Sequence, residues 1–124
     1  MKRILKTRLF CRWMKKVALE DEALCKAIAE MERGLIDANL GGQLYKKRVS
    51  LPGRGKRGST RTLIATNRTN RWIFIFGFEK NEKENLTSAE LSYLQMLAQD
   101  LLEYTDSDLD TAIIKGKIQE VHHE

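Results

Sequence analysis

Between residues 42 and 83 the chain carries eleven Lys or Arg against two acids, Glu79 and Glu82, a local balance of +9. Within that block Lys46, Arg48, Lys56, Arg57, Arg61 and Lys80 lie on or beside runs that alternate like strands. No histidine accompanies them, because His122 and His123 stand at the far end of the chain and read as a tail. There is no His-Glu-x-x-His, no paired Cys-x-x-Cys and no carboxylate cluster with metal-ligand spacing, so neither a metal nor another cofactor is expected. Gly53-x-Gly55-Lys56 lacks the Walker spacing of a phosphate loop, and no helix is expected after it. Two kinds of chemistry fit the cations that remain. They can bind a nucleic-acid backbone through counterion release alone. They can also run phosphoryl transfer in RNA without a metal. A base then removes the 2′-OH proton, fixed positive charge holds the crowded phosphate oxygens, and an acid protonates the leaving 5′-oxygen. Lysine fills the base role where neighbouring cations lower its pKa, while arginine stays charged and serves the phosphate.

These side chains need a rigid platform, and the pattern around them supplies one. In LYKKRVSL, residues 44–51, strict alternation puts Tyr45, Lys47, Val49 and Leu51 on one face and Leu44, Lys46, Arg48 and Ser50 on the other. The first set predicts packing on helices, and Lys46 and Arg48 then share the open face. LPGRGKRGS reads as a long glycine-rich hairpin loop carrying Arg54, Lys56 and Arg57. A second strand over residues 60–67 sets Arg61, Leu63 and Ala65 opposite Thr62, Ile64 and Thr66. After a turn at residues 67–70, RWIFIFGF is apolar on both faces, as in the middle of a covered sheet. It ends in Glu79 and Lys80.

The flanks are mostly helical. Residues 3–9 alternate weakly and predict a first strand. Phe10, Trp13, Met14 and Val17 then form one helix face, and Leu24, Ala27, Ile28, Met31 and Leu35 a second, stopped at Gly34. Gly41 and Gly42 mark the turn into the sheet. Thr87 and Glu90 form a capping-box pattern before a long helix through Leu91, Leu94, Leu97, Ala98, Leu101 and Leu102. Asp106 is read as the cap of a further short helix, stopped by Gly116. The expected architecture is one α+β domain over residues 1–124: a small antiparallel sheet, an N-terminal helical hairpin and a C-terminal helix, in the order β-α-α-β-β-β-α.

Length and composition agree with that size. The 124 residues are 42% hydrophobic with a single Pro, as expected of one globular unit. Cys11 and Cys25 have no metal-ligand spacing and read as free thiols of a reducing cytosol. Lys6, Arg8, Arg12, Lys15 and Lys16 interrupt any signal-peptide core, and the longest apolar stretch, residues 72–78, has only a strand's length. A soluble cytoplasmic protein without membrane contact is expected. From residue 84 onward the charge reverses to −7, read as a solvated acidic face.

Four stretches resemble one known family. TRLFCRW, ALCKAIAEMERGLIDANLGG, KKRVSLPGRGKRGSTRTLIA and IFGFEKNEKENL are similar to the HigB-like branch of the RelE/ParE toxin superfamily, the toxins of bacterial type II toxin–antitoxin modules. The resemblance runs from about Lys6 to Val121, and GKRGSTRTL followed by FxKNEKxN is its most specific part. It implies a RelE-like, microbial-ribonuclease-like fold and an endoribonuclease that cuts mRNA in the ribosomal A site, leaving a cyclic phosphate. Lys46 and Arg48 match the basic pair on the first hairpin strand. Arg61 matches the arginine of a glycine-aromatic-arginine strand motif, with Thr60 at the aromatic position. Lys80 matches the basic residue that ends the last strand, and Lys56 and Arg57 the basic glycine loop. The implied roles are Lys46 or Lys56 as base, Arg48 and Arg61 on the scissile phosphate, and Lys80 as acid or stabiliser. Lys47, Arg54, Arg57 and Lys83 are further RNA-binding residues. One departure stands out: RelE carries a base-stacking tyrosine after the last strand, and residues 81–86 contain none.

Two other functions share these features. The ParE branch inhibits DNA gyrase with the same fold and without this catalytic set, and a plain nucleic-acid-binding module needs only the charge. The implied partners are mRNA in the ribosomal A site, a cognate helix-turn-helix antitoxin, and operator DNA reached through that antitoxin.

Overall fold

The computed structural model describes residues 1–51, 55–80 and 85–123, without the side chains of residues 55–59. Its elements are β1 (Arg3–Thr7), α1 (Arg8–Val17), α2 (Asp21–Glu32), β2 (Ala38–Asn39), β3 (Leu44–Leu51), β4 (Gly55–Thr66), β5 (Arg71–Glu79), α3 (Ser88–Leu102), α4 (Asp106–Ile114) and β6 (Ile118–Val121). The strands form one six-stranded sheet in the order β2-β3-β4-β5-β1-β6. The α+β class, the helical hairpin and the three central strands are as expected. The order gains β2 and β6, and the further short helix read before Gly116 is α4. The sheet is also mixed: β1 runs parallel to β5, with Ile4 beside Trp72 and Leu5 beside Ile73, while the other pairings are antiparallel.

Alternation along the central strands feeds two cores. Ile4, Val49, Leu51, Ile64, Trp72 and Phe74 pack under Phe10 and Met14 of α1 and Leu24, Ile28 and Met31 of α2. Leu5, Leu44, Leu63, Ala65, Ile73 and Ile75 pack under Leu94, Ala98 and Leu101 of α3 and Leu109 and Ala112 of α4. The face expected to be open is therefore covered over most of its area. β5 is apolar on both faces because it has a helical layer on each side.

Local signals place the helices. The Thr7 hydroxyl accepts from the Phe10 N–H at 3.2 Å to start α1. Thr87 and Glu90 exchange both capping-box bonds at the start of α3. Thr105, not Asp106, caps α4, and Asp108 completes the box. The hydroxyl does what the carboxylate was expected to do one residue later. Gly34 after α2 has φ +90°, a left-handed stop. Leu35, expected on the apolar stripe of α2, lies past that stop and is 54% exposed.

The C-terminal unit is clasped by arginine. Arg3 donates Nε and Nη2 to the Glu120 carboxylate, both at 2.9 Å, and reaches Asp110 at 2.9 Å and Asp106 at 3.0 Å. Arg71 shares Asp106 at 3.0 Å and donates to the Tyr104 carbonyl at 2.7 Å. These bonds tie α4 and β6 to β1 and β5. The Arg3 hydrogen bond leads in holding the Asp106 carboxyl below its ordinary pKa. Part of the acidic C-terminal charge thus has an internal partner.

Gly77 on β5 faces α1. A Cβ there would overlap the Trp13 ring, which itself packs on Phe10 with ring centroids 5.4 Å apart. Gly77→Ala is expected to lower the unfolding free energy by about 2 kcal/mol, the scale of overpacking a filled core. Urea denaturation followed by tryptophan fluorescence checks this, and an unchanged midpoint would contradict the contact.

Candidate functional site

The register of β3, β4 and β5 decides which cations meet. Arg48 lies opposite Arg61, and Arg61 opposite Phe78. One step further, Lys46 lies opposite Leu63, and Leu63 opposite Phe76. Leu63, Phe78 and Leu44 belong to the α3 side. Lys46, Arg48 and Arg61 therefore share that face, at the end of the sheet beyond the cover of α3. Two residues after Phe78, exposed Lys80 begins the turn that leaves β5. The four residues expected to be catalytic whose side chains are described come to one end of one sheet.

Each cation sits differently. Lys46 is half-buried against Leu40, Leu63, Leu86 and Leu91. Arg61 is half-buried in the middle of the row. Arg48 is exposed and turns to the sheet edge, where Asp37 holds it twice. One Asp37 oxygen accepts from the Arg48 backbone N–H at 2.7 Å, and the other from Nε at 3.1 Å. This carboxylate fixes both the strand edge and the guanidinium, and the sequence carried no sign of it beyond an acid between Gly34 and Gly41.

Lys47 departs from the RNA-binding role expected of it. Its side chain is turned to the α2 face and buried, with Nζ 2.9 Å from Glu30 and 3.0 Å from the Leu35 carbonyl. Alternation had already placed it opposite Lys46. Burial then requires a counter-charge, and α2 provides one. Lys56 and Arg57 lie in the backbone of β4, which replaces most of the expected glycine loop. Their side chains, and all of Arg54 and Lys83, lie outside the described residues.

The platform beneath these cations is locked by two threonines. The Thr60 hydroxyl donates to the Val49 carbonyl at 3.0 Å and the Thr62 hydroxyl to the Lys47 carbonyl at 2.8 Å. Both side chains are fully buried. Thr60, at the position where an aromatic was expected by resemblance, thus joins β4 to β3.

Other chemistry is sparse around this end. Trp72 is fully buried. Tyr45 is half-buried beside the α1–α2 core, with the Arg68 guanidinium 5.8 Å above its ring. The Trp72 ring therefore offers no open stacking face. Cys11 and Cys25 are unbridged, and burial pushes both thiols up. His123 lies 3.1 Å from the Lys2 carbonyl, and His122 accepts a weak thiol contact from Cys25 through its carbonyl, on the α1–α2 side. Among the described residues no group of three or more His, Cys, Asp or Glu converges, and no helix is long and apolar enough to cross a membrane.

The family described as RelE toxin of the RelE/RelB toxin–antitoxin system matches residues 2–121, nearly the whole chain and all of the sheet just described. The chain belongs to the RelE toxin family. It is a toxin of a toxin–antitoxin system, and membership implies a cognate antitoxin as its partner. No curated protein matches the chain.

The burial of Lys47 has a measurable consequence. Removing one member of a buried ion pair costs roughly 3–5 kcal/mol, and less where one partner still meets water. The Glu30 side chain is 22% exposed. Lys47→Ala is therefore expected to destabilise the toxin by about 2 kcal/mol in chemical denaturation, and Glu30→Ala by a similar amount. A Lys47→Ala protein of unchanged stability would return this residue to the RNA surface.

Proposed function

We propose that this RelE-family toxin, of the HigB-like branch, is a ribosome-dependent endoribonuclease that cuts mRNA in the A site without a metal. The observation that carries the proposal is the row Lys46, Arg48 and Arg61 on one face, with Lys80 at the exit of β5. Arg48 and Arg61 hold the scissile phosphate, where a planar guanidinium offers paired donors to two oxygens. Lys46 or Lys56 takes the 2′-OH proton, and the 2′-oxygen attacks phosphorus. The P–O5′ bond breaks and Lys80 supplies the proton to the leaving oxygen. The products are a 2′,3′-cyclic phosphate and a 5′-hydroxyl. Asp37 serves as a positioning residue, because it holds the Nε side of Arg48 and so orients the rest of the guanidinium. Arg54, Arg57 and Lys83 add contacts to the RNA backbone.

A gyrase inhibitor of the ParE type would need the same fold and no proton-transfer groups, so the ordered placement of two lysines around two arginines favours the nuclease. The toxin acts in the bacterial cytoplasm as one domain over residues 1–124. Its antitoxin carries a helix-turn-helix and brings the complex to operator DNA.

Arg61→Ala and Lys80→Ala are each expected to relieve growth arrest on induction and to slow cleavage by about 10²–10³-fold, the scale for losing one charge-stabilising group. Translation should be the first process to stop in the wild type. Retained toxicity in both variants, with folding intact by circular dichroism, would overturn the site assignment. DNA damage as the first event would favour gyrase.

A further inference from the structure

On the flank of α3 turned away from Lys46, a hollow of about 460 Å³ opens between that helix and the sheet. Its floor is Ile75 and Phe76 of β5 with Ile118 of β6, and its wall is Leu94, Leu97 and Leu101 of α3. The 3.6-residue period keeps the two flanks of α3 apart. Leu91 and Gln95 face the Leu40 side, where Gln95 donates to the Leu40 carbonyl at 2.7 Å, whereas Leu97 and Leu101 line the hollow. Ile75 and Ile118 are buried, Phe76 and Leu97 half-buried, and exposed Leu9 and Tyr93 form the rim.

Two cations stand beside this apolar lining. The Arg8 N–H donates to the Lys117 carbonyl at 3.0 Å, which sets the two residues side by side. Both are exposed and both line the hollow. Neither side chain has a hydrogen bond or ion pair among the described residues. The one acid of the lining, Glu90, is engaged in the α3 cap, where its carboxylate accepts from the Thr87 N–H at 2.8 Å. Arg8 also opens α1, whose first turn holds no acid, so its charge meets the positive end of the helix dipole uncompensated.

We propose that this hollow binds a medium-chain monocarboxylate, with the hydrocarbon chain inside and the carboxylate on Arg8 and Lys117. The volume falls within the roughly 300–1,000 Å³ of small-molecule sites, which are mostly apolar with a few placed polar groups. A chain laid on Phe76 and Leu97 removes their open surface from water. The planar Arg8 guanidinium offers a carboxylate paired donors, and the anion supplies the charge that both cations lack. A stable protein interface buries roughly 800 Å² on each partner, more surface than so confined a hollow offers.

The test is methyl NMR of the purified full-length toxin titrated with decanoate, decan-1-ol and acetate, each kept below its aggregation limit. Decanoate is expected to give saturable shifts at Ile75, Leu94, Leu97 and Ile118. Decan-1-ol should bind at the same methyls about tenfold more weakly, the scale of one charge-assisted hydrogen bond, and acetate should move none of them. Arg8→Gln combined with Lys117→Gln, both at exposed positions, should bring decanoate down to the affinity of decan-1-ol and leave decan-1-ol unchanged. Equal affinity of the wild type for decanoate and decan-1-ol, or a response that never saturates, would overturn the site. So would a toxin blind to decanoate whose same methyls move on adding its cognate antitoxin, which assigns the hollow to that protein. Shifts that follow toxin concentration alone, without any response to decanoate, would assign it to a second copy of the chain and overturn the proposal equally.

Discussion

Everything at the cationic end of the sheet depends on the register of β3 against β4. A slip of one residue would send Lys46 and Arg48 into the α1–α2 core and bring Lys47 out to the opposite face. Three features prevent it. The two apolar sets of β3 and β4 are buried on opposite faces, so neither strand can be reversed without exposing Leu44 and Leu63 or Val49 and Ile64. Thr60 and Thr62 each add a side-chain bond to a β3 carbonyl across the pair. Lys47 then anchors β3 to α2 through Glu30. One register thus fixes a buried lysine on one face and a row of cations on the other.

Concentrating positive charge has a cost in mutual repulsion, and the fold meets it in two ways. The row stands at the sheet end, where solvent screens it. Asp37 compensates Arg48 without covering the whole guanidinium, leaving the group paired yet exposed at 49% of its side chain. At the other end of the molecule Arg3 and Arg71 are matched against Asp106, Asp110 and Glu120. The charge reversal along the chain is therefore partly structural: the C-terminal acids close α4 and β6 onto the sheet, far from the row at the end of β3–β5.

Much of this was legible in the sequence because the period-2 and period-3.6 patterns are dense there. The alternation from Leu44 to Leu51 separates Lys46 and Arg48 from Lys47, and the capping box at Thr87 and Glu90 starts α3 as read. The departures have physical causes. A two-residue β2 and the four residues Ile118–Val121 are too short to show a period, and β6 is recruited by the parallel-placed β1 and by the Arg3–Glu120 bonds, both long-range. Whether the second face of the sheet is open or covered depends on where α3 and α4 dock, which no local pattern states. The glycines at 55 and 58 read as a loop, yet pairing with β3, where Leu51 lies opposite Gly55, carries β4 back to Gly55. Asp37 acts through a contact between separate elements, so it had no signal of its own.

In the proposed reaction lysine and arginine alone cleave RNA by transesterification at this row, and the ends of the cut mRNA report on it directly. After brief induction, or on programmed ribosomes with purified toxin, the downstream fragments should carry 5′-hydroxyls that ligate only after kinase treatment. The upstream fragments should end in 2′,3′-cyclic phosphate. Fragments with 5′-phosphate and 3′-hydroxyl ends, or intact mRNA on arrested ribosomes, would contradict it.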